Sequence, residues 1–126
     1  MTAEPRTPDA SFLRELEGIV GRRGVVASPE GRLTYECDMH TFYKGAPDVV
    51  VLPESAAQVA AIVRLCRAHA VAVVPRGSGT GLIGGAMAPV GGVMVSMTRM
   101  NRLLEVDLPN RCAVVEPGLI HLWLSN

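Results

Sequence analysis

The chain has 126 residues, with twelve basic and twelve acidic side chains and a formal net charge of zero. That length suits one domain with a modest core, and the charge balance removes the electrostatic case for nucleic acid or an anionic membrane as partner. No apolar run reaches the roughly 20 residues that a membrane-spanning helix needs, and Glu4, Pro5 and Asp9 ahead of any apolar stretch show no signal-peptide pattern.

Residues 1–8 are polar, contain two prolines and read as loose. Asp9 is placed to cap a helix whose apolar positions, Phe12, Leu13, Leu16, Ile19 and Val20, share one face at 3.6-residue periodicity. Gly21 and Gly24 end it. Val25-Val26-Ala27 is a short strand candidate, and residues 28–47 form a long connection around Tyr35, Phe42 and Tyr43. Asp48 to Leu52 reads as a buried strand stopped by Pro53. Ser55 and Gln58 form a capping box, and Val59, Ile62, Val63 and Cys66 then follow at i, i+3, i+4 and i+7 of a helix running to about His69. Val71 to Val74 is the next strand, which makes a strand–helix–strand unit, parallel and right-handed. Val93 to Ser96, Leu103 to Val106 and Cys112 to Val115 read as further strands, with a turn at Pro109-Asn110. The fold class is therefore α+β (locally α/β), a parallel βαβ layer changing near residue 90 to a strand-rich second layer. Leu119 to Leu124 looks like the beginning of a helix.

The stretch from Pro75 to Gly85 leaves the second parallel strand, at the edge where such sheets bind ligands. Five of the nine residues 77–85 are glycine. A backbone this bare can turn through positive φ, approach a ligand closely and converge its N–H groups on an anion; a plain glycine-rich turn is the bland alternative. No Gly-Lys-Ser/Thr occurs, so this is not a P-loop. Gly79-Thr80-Gly81-Leu82-Ile83-Gly84 matches the GxGxxG string of a dinucleotide site, and Glu105 lies about the right distance downstream. That reading needs a helix over residues 84–95, and Pro89, Gly91 and Gly92 break it.

Several segments together resemble another family. They are Val49-Val50-Val51-Leu52-Pro53, Val73 through Leu82, Met97-Thr98-Arg99-Met100-Asn101-Arg102-Leu103 and Val115-Glu116-Pro117-Gly118, with Tyr35-Glu36-Cys37-Asp38 upstream. As a set, from about residue 25 onward, they resemble the FAD-linked oxidases with a vanillyl-alcohol oxidase (PCMH-type) flavin domain, in the branch of glycolate oxidase and D-lactate dehydrogenase. The resemblance implies two small layers clamping an extended FAD, with the loop after the second parallel strand around its pyrophosphate. Pro75, Arg76, Gly77, Ser78, Gly79, Thr80 and Gly81 would then form the cofactor loop. Backbone donors come from residues 77–81, and a hydroxyl comes from Thr80. Arg76 reads equally as a phosphate ligand or as a brace of the loop. Gly84 and Gly85 would permit close approach of the next turn. Pro117-Gly118 would reach the flavin from the second layer, or be only a strand-ending turn. Some members hold the flavin covalently through a histidine in this loop; Thr80 stands there, so noncovalent FAD is expected.

The resemblance also implies an N-terminal portion of a longer protein. Residues 1–24 are then a helical segment, and residues 25–126 the first part of the flavin domain. Substrate, a 2-hydroxy acid such as glycolate or D-lactate, would be read by a cap domain beyond this chain. Companion subunits and a cytoplasmic location, peripheral to the inner membrane through those subunits, follow from the same likeness. Tyr35, Tyr43 and His121 have suitable chemistry but are better explained by packing, so no catalytic residue is assigned. His40, His69 and His121 lack metal-ligand spacing, and Cys37, Cys66 and Cys112 read as scattered buried thiols of a reducing compartment. The competing function is a non-catalytic module that binds a nucleotide or a partner chain only.

Overall fold

The computed structural model describes residues 6–39 and 41–125. Residues 1–5 of the expected loose start lie outside the described residues, as does His40. Helix α1 spans Ala10–Val20 and begins where the sequence places it: the Asp9 carboxylate accepts the Phe12 N–H at 2.9 Å. Gly21, at φ 75°, ends it. Strand β1 (Val25–Val26) follows, then a short helix α2 (Pro29–Arg32) within the long connection. Strand β2 (Val49–Val51) leads into α3 (Ala56–Ala68). The Ser55 hydroxyl accepts the Gln58 N–H at 3.3 Å, and the Gln58 amide oxygen reaches back one residue further than a standard box, to the Glu54 N–H at 2.7 Å.

Strand β3 occupies Val73–Arg76, two residues later than the sequence suggests, so Pro75 and Arg76 belong to the strand and the loop proper starts at Gly77. Strand β4 (Val93–Ser96) pairs in parallel with both β2 and β3, giving the order β1-β2-β4-β3 with β1 antiparallel. The βαβ strands are parallel as expected, with β4 between them, and one expectation changes: β4 lies inside the first sheet rather than at the start of a second layer. This order was latent in the residues. Val93, Met94 and Val95 are apolar toward both faces and essentially fully buried, as a central strand requires. Pro75 lacks an N–H, which suits β3 to the edge.

Side-chain alternation then builds two half-cores. Val49, Val51, Val93 and Val95 face α1 and α3, packing with Phe12, Leu16, Ile62 and Cys66. Val50 and Met94 face the other way, against Ala88, Tyr35, Val26 and Val74. That second face is covered by irregular chain, the connection before β2 and the return of the glycine-rich loop. The hairpin β5 (Leu103–Asp107) and β6 (Cys112–Val115) forms a separate two-stranded sheet with a bulge at Leu104. Its turn is tied by Asp107, whose carboxylate accepts both the backbone and side-chain N–H groups of Asn110. A short helix α4 (His121–Ser125) ends the described chain. Of the three thiols only Cys66 is buried; Cys37 is half-buried and Cys112 is exposed on the hairpin, against the expectation of three buried ones. Burial pushes the Cys66 thiol up to about 11.

Candidate cofactor site

Strands β2, β4 and β3 run in parallel and in level register, Val51 and Pro75 both opposite Val95. Their carboxyl ends therefore lie along one sheet edge. The glycine-rich loop leaves β3 there, and a 3₁₀ turn at Met97–Arg99 leaves β4 beside it.

Residues 77–85 arch over this edge without regular structure, and no helix follows in residues 84–95, which removes the GxGxxG dinucleotide alternative. Gly79 (φ 73°) and Gly84 (φ 76°) take conformations that other residues rarely adopt. Beside Gly77 and Gly85 the space is open: a Cβ added at either would meet nothing within 4 Å. The backbone N–H groups of residues 78–83 donate to no acceptor among the described residues. These residues are also largely exposed, so successive donors at the crown of the arch remain available. An apolar hollow of about 310 Å³ lies on one side, lined by Tyr43, Leu82, Ile83, Gly84 and Met87.

The base of the arch is built differently. Arg76 is buried, and its Nη1 donates to the carbonyls of Cys37 (2.9 Å) and Ala86 (3.3 Å). The guanidinium lies 5.7 Å from the centroid of the Tyr35 ring. Gly79 folds back over it so closely that a Cβ would collide with the guanidinium. Asp38, also buried, accepts the Gly84 N–H at 2.8 Å. The Met39 N–H reaches the Gly81 carbonyl at 3.3 Å. Of the two readings of Arg76, this geometry corresponds to the brace. Asp38 was visible in the sequence only as part of a segment; a charged residue in a tract otherwise matched for its similarity was the available signal.

Pro117 and Gly118 sit on the same edge through another contact. Gly118 donates its N–H to the Met100 carbonyl at 2.7 Å, and a Cβ on it would run into the carbonyls of Met97 and Met100. Pro117 lines an apolar groove with Val59, Val63, Met97 and Met100. Just before them, Glu116 is buried and its carboxylate accepts three bonds from Arg102: Nε at 3.0 Å, Nη2 at 2.6 Å and the Arg102 backbone N–H at 2.9 Å. The sequence reading missed this pair. The hydrogen bonds from Arg102 hold the Glu116 carboxyl below the ordinary carboxylate range. Pro75 through Gly85 and Pro117-Gly118 thus share one sheet edge. Tyr35 lies under the loop, Tyr43 lines the hollow beside it, and His121 begins α4. Among the described residues no cluster of three or more His, Cys, Asp or Glu could hold a metal ion.

Residues 47–122 match the family described as "FAD binding domain". Among curated proteins, the chain is 41% identical over 95 residues to glycolate oxidase subunit GlcD of Bacillus subtilis (strain 168), covering 75% of this chain and 20% of that one. Among solved structures, it is similar to an alkyldihydroxyacetonephosphate synthase, with TM-score 0.80 and 28% identity over 95% of this chain and 26% of the other. The fold is also that of p-cresol methylhydroxylase, at TM-score 0.69 and 19% identity, covering 91% of this chain and 24% of that one. The chain spans about a fifth to a quarter of the length of the curated relatives it matches. The matched segment takes in all three parallel strands, the glycine-rich arch and Pro117-Gly118, so the chain belongs to this family of FAD-binding domains.

Proposed function

We propose that the chain is the flavin-binding portion of an oxidoreductase acting on a 2-hydroxy acid of the glycolate or D-lactate type. The observation that carries the reading is the run of uncommitted N–H groups at residues 78–83, at the carboxyl ends of three parallel strands. A pyrophosphate needs several convergent donors and a backbone it can approach. Open space beside Gly77 and Gly85 supplies the approach, so the residues present fit FAD. Ser78, Gly79, Thr80 and Gly81 would hold the phosphates by backbone N–H, and Thr80 adds a hydroxyl. Arg76 would support the loop from below. Gly84 and Gly85 would close it, and Pro117-Gly118 would approach from the neighbouring turn. When bound, FAD supplies the acceptor for a hydride equivalent from the alcohol carbon of the substrate.

Thr80 offers no ring nitrogen for attachment to the flavin, so the cofactor is held noncovalently. Mass spectrometry of denatured holoprotein is expected to show the unmodified chain mass; a flavin adduct within residues 75–85 would reverse this. In this reading the N-terminal segment 1–24 supports the flavin layer through Phe12 and Leu16 of α1, and residues 25–126 are the domain's first part. The hydroxy acid is bound by structure beyond this chain, with companion subunits. No helix among the described residues is long and apolar enough to cross a membrane. We propose a cytoplasmic location, peripheral to the inner membrane through companion subunits; three unpaired thiols agree with a reducing compartment.

A second reading, a module that binds a nucleotide or partner chain without chemistry, is favoured by the exposed apolar hairpin, where Leu104, Val106 and Val114 are 50–56% exposed. Flavin absorbance near about 450 nm that survives desalting after FAD addition supports flavin binding by this chain, and its anaerobic bleaching by glycolate or D-lactate in the protein that also carries the hydroxy-acid-binding structure supports the oxidoreductase. Retention without bleaching in that protein supports the nucleotide-binding module, and no retention counts against the flavin-binding reading.

A further inference from the structure

Resting on the flavin-binding reading, we propose that Asp38 and Arg76 are positioning residues that close the base of the glycine-rich arch and so hold its crown ready for the pyrophosphate. The arch enters at Arg76 and leaves through Gly84, Gly85 and Ala86. Nothing in its own sequence fixes the separation of those ends, because glycines leave the chain many conformations to lose on ordering. The segment 37–39, some forty residues earlier, supplies the fixing. Arg76 joins the entry to the exit by donating to the Cys37 and Ala86 carbonyls at once. Asp38 takes the Gly84 N–H at 2.8 Å. Met39 adds a third tie, to the Gly81 carbonyl.

The two charged groups work with opposite polarity. The cation gathers carbonyls and the anion gathers an N–H, and both side chains are buried, at 9% and 6% exposure. Bonds between an ionised side chain and backbone are stronger than neutral ones. They also sort the backbone: carbonyls and one N–H are spent at the base, and the N–H groups of residues 78–83 are left over at the crown. Gly79 completes the arrangement, since a Cβ there would displace the Arg76 guanidinium and the φ of 73° at this position favours glycine. A loop held in its binding shape loses less entropy when the ligand arrives, so clamping raises affinity without a new contact. Asp38 need not touch the cofactor for this.

The test has two arms. In the chain without cofactor, the Gly84 amide is expected to exchange with deuterium more slowly than the amides of residues 78–83. D38A brings it to their rate, whereas D38N, which keeps a carbonyl acceptor, retains most of the protection. In fluorescence titration with FAD, D38A binds about tenfold more weakly than wild type. D38N stays within about threefold, because it preserves the bond that matters. Circular dichroism and melting temperature establish that the variants are folded. The proposal is overturned if the wild-type Gly84 amide exchanges as fast as its neighbours, a comparison that needs no variant, or if D38A loses protection yet binds FAD like wild type. A wild-type chain that binds no FAD overturns the functional reading instead, and the exchange arm still decides whether the clamp exists.

Discussion

The four-stranded sheet and the β5–β6 hairpin are written in much the same residues and end in opposite states. Val49, Val50, Val51, Val93 and Met94 are fully buried, whereas Leu103, Leu104, Val106 and Val114 are each about half exposed. Valine favours the extended backbone in both places. Burial is decided by the layers. The first sheet has helices on one face and irregular chain on the other; the hairpin has two strands and a short helix nearby. A two-stranded ribbon is marginal by itself, and specific joints replace the hydrophobic term here. They are the Arg102–Glu116 pair across the hairpin's open end and the packing of Gly118 against the Met97–Met100 turn. The cofactor arch belongs to the first region and stands on its core.

The largest expected effect breaks this contrast at its buried end. Ile62 is fully buried between α3 and the sheet, and Ile62→Ala should cost about 2–5 kcal/mol in chemical denaturation. Leu104 occupies the bulge and is 56% exposed. Leu104→Ala should stay within about 0.5 kcal/mol. Equal losses would mean that the hairpin is stabilised by apolar burial after all.

The same division governs what the sequence made legible. Helices α1 and α3 were readable because periodicity and capping are local: Asp9 and Ser55 lie three residues from the N–H groups they accept. The arch was readable because glycines announce a backbone need. The position of β4 between β2 and β3 was not read, because pairing is a long-range choice and chain order favours sequential neighbours. Its double-sided apolar pattern and the proline in β3 were the clues. The clamp was hidden for the same reason. Asp38 and Gly84 are 46 residues apart, and Arg76 and Cys37 are 39 apart; no spacing rule joins them. Glu116 was seen as part of a motif, and its partner Arg102 as part of another.

A smaller effect should separate the two regions from each other. Gly118 has no room for a side chain, since the Met97 and Met100 carbonyls occupy the place of a Cβ. Gly118→Ala forces the hairpin's exit away from the turn after β4, at a cost of about 1–3 kcal/mol. Amide exchange should rise across residues 103–115 while the amides of β2 and β4 keep their protection. A uniform rise over both sheets would show that the hairpin is an integral part of the first core.

The smallest effect concerns pH. Hydrogen bonds from Arg102 depress the Glu116 carboxyl below its ordinary value of 4.5. A carboxyl with a lowered folded-state pKa binds protons more readily when unfolded, so its contribution is fully present above about pH 4.5 and fades as pH falls through the folded value. Asp9 and Asp107 are lowered in the same sense, each by hydrogen bonds donated within its own turn or cap. They add to the acid sensitivity of both regions. Glu116→Gln removes the charge and keeps an acceptor, so it should lower the melting temperature modestly at neutral pH and by progressively less as pH falls below about 4.5. The wild-type and variant curves should converge on acidification, most clearly in a probe of the hairpin such as the fluorescence of Trp123. Parallel curves down to pH 3 would mean that the Arg102–Glu116 pair makes no net ionic contribution. The open end of the hairpin would then be held by its backbone bond from Glu116 to Arg102 and by the contact at Gly118.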